Sequence, residues 1–517
     1  MSGKEKRAEA RREKRKAEKN AYLNREGKKN AGMDLPNAGM QYDDRIPETV
    51  KAELGERQEI VEAQFKAYRS ILPGLLKKLE RIDDVRSPKK VKHKHTVVLL
   101  YGILMFAFNM TSRKEANREM NKAIFFKNIK MVFPEIKELP HADTLERILE
   151  KIDINKIEET LTETIRQMIR EKRFKNFLYK KGYAIAIDGT QKHIRDYRVA
   201  EEWLKRKVNG KEGTKEERFY VYVLEAILVF PNGIRLPFMS EFLDFEEYQT
   251  AQGKQDSEPK AFRRLSARIK KAFPRLAITL LLDGLYPTGP VFEICKKYNW
   301  GYMMVLQDGN LKTVWHEVKH LKEYEDNDKF KKDEKRRIHK INWATRNQEF
   351  WWVNDVEYDY MIDGKKKHSI LHVVVCEETW DEYSSKEKKM LQKSSKHAWV
   401  SSEPISKQNI HERCNLLGRF RWKIETNILI EKKYGYSYEH CFSHDWNAMR
   451  GFHYLMHIGH FLNEIAFNTV ELAEKVKKDG ITVFMKNLKL AYGGWLLDED
   501  RFKYMKTKKF QLRLVWW

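Results

Sequence analysis

Two short apolar runs, "YAIAIDGT" (183–190) and "LAITLLLDGLY" (276–286), each end in an Asp-Gly pair and constrain the fold more than any other feature of the chain. Continuous apolar runs of this length, bounded by turn residues, are strands buried on both faces, and strands of that kind tend to be parallel neighbours. Around them, "RFYVYVLEAILVFPNGIRLPFMSEF" reads as two strands joined at a Pro-Asn-Gly turn near 231–233. "EPKAFRRLSARIKKAF" has helical periodicity, a helix is expected near 289–298, and "GYMMVLQDG" reads as a further strand. Three strands followed by helix, strand, helix, strand predict an α/β fold built on a mixed sheet with flanking helices.

The rest of the chain divides by composition into an arm at 1–45, a helical region at 46–178, a core at 179–307, a strand-rich insertion at 308–400, a second core part at 401–470, and a basic aromatic tail at 471–517. Residues 1–30 carry seven Lys and five Arg against five Glu, a net +7 with almost no apolar stripe, so the arm is expected to be disordered or a solvated helix. In the helical region, Asp143 three residues before Glu146 in "HADTLERILEKI" resembles a capping box. The basic linker "RSPKKVKHKH" holds His93 and His95, read as a solvated face. The insertion holds Trp315, Trp343, Trp351, Trp352, Trp380 and Trp399, six of the chain's thirteen tryptophans. Each suits core packing or, alternatively, stacking on a base.

The 517 residues carry a net charge of +25, which favours a polyanionic partner, nucleic acid first and a membrane surface second. The strongest apolar run, "VVLLYGILMFAF" (97–108), falls short of the ~20 residues a bilayer span needs and reads as a buried helix. The charged N-terminus is unlike a signal peptide, and Cys295, Cys376, Cys414 and Cys441 are scattered without disulfide or four-thiolate spacing, which fits a reducing cytoplasm.

Asp188 and Asp283 are the first candidate site residues. An Asp-Gly after a strand is ordinarily turn chemistry. Two such residues on adjacent parallel strands would instead share the mouth at the strands' carboxyl ends, where ligands sit in α/β sheets. Two ionised carboxylates that close repel unless a cation neutralises them, and Mg²⁺, with its preference for oxygen ligands, suits such a pair. The helix "GRFRWKIETNILIEKKYG" (418–435) adds Arg421, Glu425 and Lys432 on one narrow stripe, at relative angles of about 0°, 40° and 20° at ~100° per residue, beside an apolar stripe of Leu417, Phe420, Ile424 and Ile428. Such a row can be a solvated set of helix-stabilising pairs. On the edge of a buried face it can also add a third carboxylate to a cleft, with two cations for phosphate oxygens. "HERC" (His411, Cys414) and "EHCFSH" (His440, Cys441, His444) contain zinc-type ligands in spacings that match no common finger.

The segment "GRFRWKIETNILIEK" resembles the signature of the IS4-type DDE transposases, Tyr, two residues, Arg, three residues, Glu, six residues, Lys. Arg421, Glu425 and Lys432 match, Trp422 and Ile424 resemble common family choices, and Gly418 stands at the Tyr position. "AIDGT" resembles the family's first-aspartate strand, "LLLDGLYPTGP" its second, and "GKQDSEPKAFRRL" the segment before the intervening helix, a likeness running from about 91 to 465. The resemblance implies an RNase H-like core with a β-rich domain inserted in the 142 positions between Asp283 and Glu425. It further implies a catalytic, metal-binding set Asp188, Asp283 and Glu425 holding two Mg²⁺ or Mn²⁺ ions, with Arg421 and Lys432 on DNA phosphates. The activity implied is cleavage of double-stranded DNA at the element's inverted-repeat ends and transfer of the freed 3′-OH into target DNA. The expected setting is a homodimer in a prokaryotic cytoplasm, at the nucleoid and away from membrane. A DNA-binding protein that has lost catalysis and a stand-alone nuclease with the same core are the alternatives.

Overall fold

The computed structural model describes residue 13 and residues 50–180, 182–209, 215–244, 256–324, 329–333, 337–341, 344–384 and 387–515. The arm at 1–45, "GKQ" of the 253–265 motif, Trp343 and the last two tryptophans lie outside this range, apart from Glu13. The described residues form two compact units, one within Pro47–Leu282, Lys296–Trp300 and Arg419–Trp517, the other within Asp283–Cys295 and Gly301–Gly418.

The first unit begins with α1 (Val50–Arg69), α2 (Leu72–Leu79), α3 (His95–Ala107), α4 (Arg113–Met120), α5 (Ala123–Val132), α6 (Ala142–Leu149) and α7 (Asn155–Arg170). Helix α6 departs from the capping-box reading. It starts at Ala142, its cap is His141, whose Nδ1 accepts from the Asp143 backbone N–H at 3.2 Å, and Glu146 pairs with Arg113 of α4 instead of turning back on its own cap. His95 opens α3 with its Nε2 3.2 Å from the Leu79 carbonyl oxygen, so that ring is tied to backbone.

The sheet follows: β1 (Tyr183–Arg195), β2 (Leu204–Asn209), β3 (Lys215–Val229), β4 (Arg235–Leu243) and, after α8 (Glu258–Ala272), β5 (Ile278–Leu282). Strands β3 and β4 form the expected hairpin, with Gly233 at φ +91° supplying the left-handed turn residue and its N–H donating to the Phe230 carbonyl at 2.9 Å. Strand β3 pairs antiparallel with β1, and β1 pairs parallel with β5 from Tyr183↔Ile278 to Ala186↔Leu281. A parallel pair cannot close through a tight turn, and α8 lies on the long connection it needs. A bulge between Gln191 and His193 shifts the β1 to β3 register, and it lets the consecutive residues Lys192 and His193 both be buried.

Later in the same unit the chain forms α11 (Trp422–Lys433), α12 (Trp446–Phe467), α13 (Ala473–Asp479), α14 (Ile481–Gly493) and α15 (Glu499–Lys506). All but three of the 22 residues of α12 are buried, and the helix packs on α1, α3, α6, α7 and β4. Its closest neighbour, α3, is the apolar run 97–108, buried from Val98 to Ala107, and among the described residues no helix is long and apolar enough to cross a membrane. Both helices use glycine where they meet. A Cβ at Gly459 would lie 3.0 Å from the Ile103 carbonyl oxygen and 3.1 Å from the Ala107 nitrogen, and one at Gly102 would lie 2.7 Å from Leu455 Cδ1.

The second unit holds β6 (Gly301–Val305), β7 (Phe330–Lys332), β8 (Arg337–Ile341), β9 (Ala344–Ile362), β10 (Lys365–Ser384) and β11 (Lys389–Ser401) in the antiparallel order β6, β11, β10, β9, β7, with β8 also on β9. The stretch 308–400 is strand-rich as expected but opens with a helix, α10 (Lys312–Glu323), packed on β9 through Val314, Trp315 and Val318. Helix α9 (Gly289–Tyr298) falls partly in each unit. Strands β9 and β10 meet at Asp363-Gly364, both with positive φ (50° and 73°), the two-residue turn whose twist matches a hairpin. Of the insertion's tryptophans Trp315, Trp351, Trp352 and Trp399 are buried and Trp380 is half-buried beneath Arg346, whose guanidinium carbon lies 4.0 Å from the ring centroid.

Backbone atoms cannot yield to a new side chain as a flexible one can. Gly459→Leu is therefore expected to cost about 1–3 kcal/mol or more by overpacking, whereas Gly55→Ala, in a helix with nothing within 4 Å of the new Cβ, should be neutral or stabilising by up to about 1 kcal/mol. Urea denaturation of the two variants compares them directly, and equal midpoints would contradict this account of the α3 and α12 contact.

Candidate active site

Strand β1 is buried from Tyr183 to Ile187 and emerges at Asp188. The run of apolar residues thus ends at a half-buried carboxylate, its side chain 20% exposed. Asp188 Oδ1 accepts from the Gly189 N–H at 2.9 Å, and its ladder partner on β3 is Glu225. Gly189 has no space for a side chain, since a Cβ would run into the Tyr222 ring.

The motif helix is built in three pieces. A π-helical turn at Glu412–Leu417 and a 3₁₀ turn at Gly418–Arg421 lead into α11, which packs on β1, β3 and β4. A uniform 100° per residue therefore does not hold across Arg421, but the stripe survives from Arg421 onward because Ile424 and Ile428 are buried on the adjoining face. Arg421 Nη2 donates to Glu425 Oε1 at 2.7 Å, the i, i+4 spacing of one helical turn, and Arg421 Nη1 lies 3.7 Å from Asp188 Oδ2. One guanidinium, its side chain only 9% exposed, therefore touches two carboxylates that are 237 positions apart in the chain. The side chain of Glu425 remains 48% exposed, so the pair is open to an incoming ligand.

Lys432 lies further along the same row. Its Nζ donates to the Gln191 carbonyl at 2.9 Å, at the β1 bulge, and lies 3.0 Å from Glu439 Oε1. The row thus touches β1 at both ends, at Asp188 and at Gln191. Of the five candidate residues, the structure groups Asp188, Arg421 and Glu425, with Lys432, from the same helix as Glu425, contacting the strand that carries Asp188.

Asp283 follows β5 directly and is the first residue of its segment in the second unit. In the β1 to β5 register Ala186 faces Leu281, and Asp188 and Asp283 each come two residues later in sequence. Its Oδ1 accepts from the Leu285 N–H at 2.8 Å, an Asx turn of the kind an Asp-Gly pair ordinarily makes. The departure at Gly418 has a local cause. A Cβ there would lie 2.9 Å from Trp399 Nε1, so the indole occupies the space a tyrosine would need.

The zinc-type residues do not assemble. His411 Nδ1 is bonded to Asn415 and Cys441 Sγ donates to the Ser443 carbonyl. Among the described residues the metal-like grouping is a different one, Glu225 with His453 and His457, all buried. Sequence reasoning missed it, although His453, His457 and His460, spaced i, i+4 and i+7 in an otherwise apolar helix, were a visible signal.

Residues 76–164, the segment from α2 to α7, match the model of the family described as DDE_Tnp_1-associated, and a search among curated proteins returned no match. The helical region thus carries a domain of the kind associated with DDE transposases, which relates the chain to transposition.

Proposed function

We propose that the protein is a DDE transposase of the IS4 type, with an RNase H-like core, that cuts DNA at transposon ends and joins the freed 3′-OH to target DNA. The observation that carries the reading is the contact of Arg421 with both Asp188 and Glu425. A cation already lies between two carboxylates drawn from a strand end and a helix, and all the acidic groups concerned are hard oxygen donors suited to Mg²⁺ or Mn²⁺. Asp188, Glu425 and Asp283 would hold two such ions. The chemistry the ions supply when bound is activation of the attacking oxygen and neutralisation of charge on the departing 3′ oxygen.

The chain's own groups do the remaining work. Arg421 is a planar fork that can hold the carboxylates in place or turn a face to a phosphate, and Lys432 is a point charge beside the same strand. No protein nucleophile is required, because water and then a DNA 3′-OH attack. The helical region and the arm at 1–45 would track the phosphate backbone, for which the net charge of +25 is well suited. Transposon ends are brought together in pairs, and a homodimer is the proposed assembly.

An Mg²⁺-dependent cleavage and joining assay on the DNA flanking the coding region tests this. Asp188→Ala and Glu425→Ala are each expected to lose activity by at least about 100-fold, the scale on which removing a transition-state electrostatic contact is felt, while still binding DNA. Full activity in both would overturn the assignment, and cleavage without joining would favour the nuclease. Arg421→Lys keeps the charge but cannot reach two carboxylates with separate nitrogens. Its cleavage rate should fall about tenfold, the equivalent of one charge-assisted hydrogen bond, and a rate equal to the parent's would show that the fork is dispensable.

A further inference from the structure

Beneath the candidate site the interior holds a cluster of charged groups that the proposed reaction does not use. Glu225 on β3, the ladder partner of Asp188, is buried, and so is Glu431 on α11, the helix that carries Glu425. His457 on α12 stands between them, its Nε2 3.7 Å from Glu225 Oε2 and 3.7 Å from Glu431 Oε1. We propose that His457 is a positioning residue, whose imidazole ties the strand pair bearing Asp188 to the helix bearing Glu425 and so sets their alignment. This inference rests on the proposed function.

Three observations favour a charged bridge over ordinary packing. First, Glu225 and Glu431 come from two different elements, β3 and α11, that both approach the ring at Nε2, and each is otherwise secured: Tyr438 donates to Glu225 Oε1 at 2.6 Å and Ser240 to its Oε2 at 2.7 Å, while His460 Nδ1 lies 2.7 Å from Glu431 Oε1. Both carboxylates are thus fixed, and the ring between them joins two rigid parts. Second, burial works against a proton on His457, yet Glu431 and then Glu225 outweigh it and raise its pKa above the ordinary histidine value. Burial likewise pushes Glu431 upward, but His457 and His460 hold it well below the carboxylate range. Third, of the neighbours, Glu225 competes for the proton, since burial and then Glu431 raise its pKa against the opposing pull of His457, whereas the other groups around the ring do not. His453 is kept neutral by burial, and Lys192 on β1, its pKa lowered by burial to about 8, is engaged by the Tyr438 carbonyl at 2.7 Å. Glu158 on α7 is taken up by Arg268 of α8.

A metal ion is the obvious rival occupant, since ligand atoms of Glu225, His453 and His457 lie within 4.8 Å of one another. The Ser240 hydroxyl, however, already reaches all three, at 2.7 Å from Glu225 Oε2, 3.0 Å from His453 Nε2 and 3.5 Å from His457 Nδ1. The hydroxyl thus takes up the centre of that triad, while among the described residues His457 Nε2 and Glu431 Oε2 make no hydrogen bond, and the ring meets Glu431 only as an ion pair.

Because the pKa of His457 is raised on folding, its bridge is fully present below the ordinary histidine pKa and is lost as pH rises through the raised value. The test compares the parent, His457→Lys, the double variant His457→Gln with Glu431→Gln, and Asp188→Ala. The double variant removes the Glu431 charge together with the imidazole, and the Glu225 carboxylate that remains keeps its hydrogen bonds from Tyr438 and Ser240. Each is checked for urea stability, then assayed for Mn²⁺-dependent nicking of a supercoiled plasmid carrying the flanking DNA, with kcat, KM and pH profile recorded. Expected are a kcat about tenfold lower per folded molecule in the double variant at unchanged KM, and loss of the parent's alkaline limb in His457→Lys. Inactive Asp188→Ala beside a double variant with the parent's kcat and pH profile would overturn the positioning role alone. Equal nicking by Asp188→Ala would instead remove the functional reading, leaving the pH dependence of urea stability to decide whether His457 bridges at all. Stoichiometric zinc in the parent, lost in the double variant, would also overturn the proposal in favour of a metal site.

Discussion

The fold depends on burying α12 on every side. Its 22 residues, nearly all enclosed, are the post around which α1, α3, α6, α7 and β4 are arranged. Close approach is possible because Gly459 and Gly102 remove side-chain volume at the crossing with α3. The polar residues carried into the interior by the same helix are each given partners. Asn463 donates to the Ala107 carbonyl and to Tyr436 and accepts from Tyr68, and the three histidines are matched to carboxylates or a hydroxyl. Leaving such groups unmatched would cost several kcal/mol in total. The interior polar network and the apolar packing are therefore one design, and α11 and β1 are placed against it.

That arrangement explains the geometry at the surface. Strand β1 becomes half-buried at Asp188, and its bulge at Gln191 turns Lys192 inward while leaving a carbonyl for Lys432. The same few residues of β1 thus hold the candidate carboxylate on one side and a buried cation on the other. Arg421 joins strand to helix beside half-exposed Glu425, and His457 joins them in the interior. The two contacts act at different depths on one alignment.

Much of the architecture was readable in the residues. Apolar runs with turn residues at their ends marked β1, β4, β5 and β6 because a strand buried on both faces leaves no room for polar alternation. Helices α8 and α9 followed from periodicity, and the Pro-Asn-Gly turn from the need for a positive φ at Gly233. The capping box was misread because a helix start depends on where the preceding chain is held, and Arg113 on a neighbouring helix claimed Glu146. Helix α10 was hidden in a segment whose charge and aromatic content suggested strand throughout.

The chain's own residues determined which side chains could take part in phosphodiester chemistry, since spacing along α11 put Arg421, Glu425 and Lys432 in one row and the strand ends put forward Asp188 and Asp283. Only the tertiary structure decided that Arg421 reaches Asp188 as well as its helical neighbour, that Trp399 fills the space beside Gly418, and that three histidines meet two buried carboxylates. Periodicity describes a single element relative to its own axis, whereas these contacts require two elements to be fixed against each other. That relation is set by packing among residues hundreds of positions apart, which no local pattern encodes.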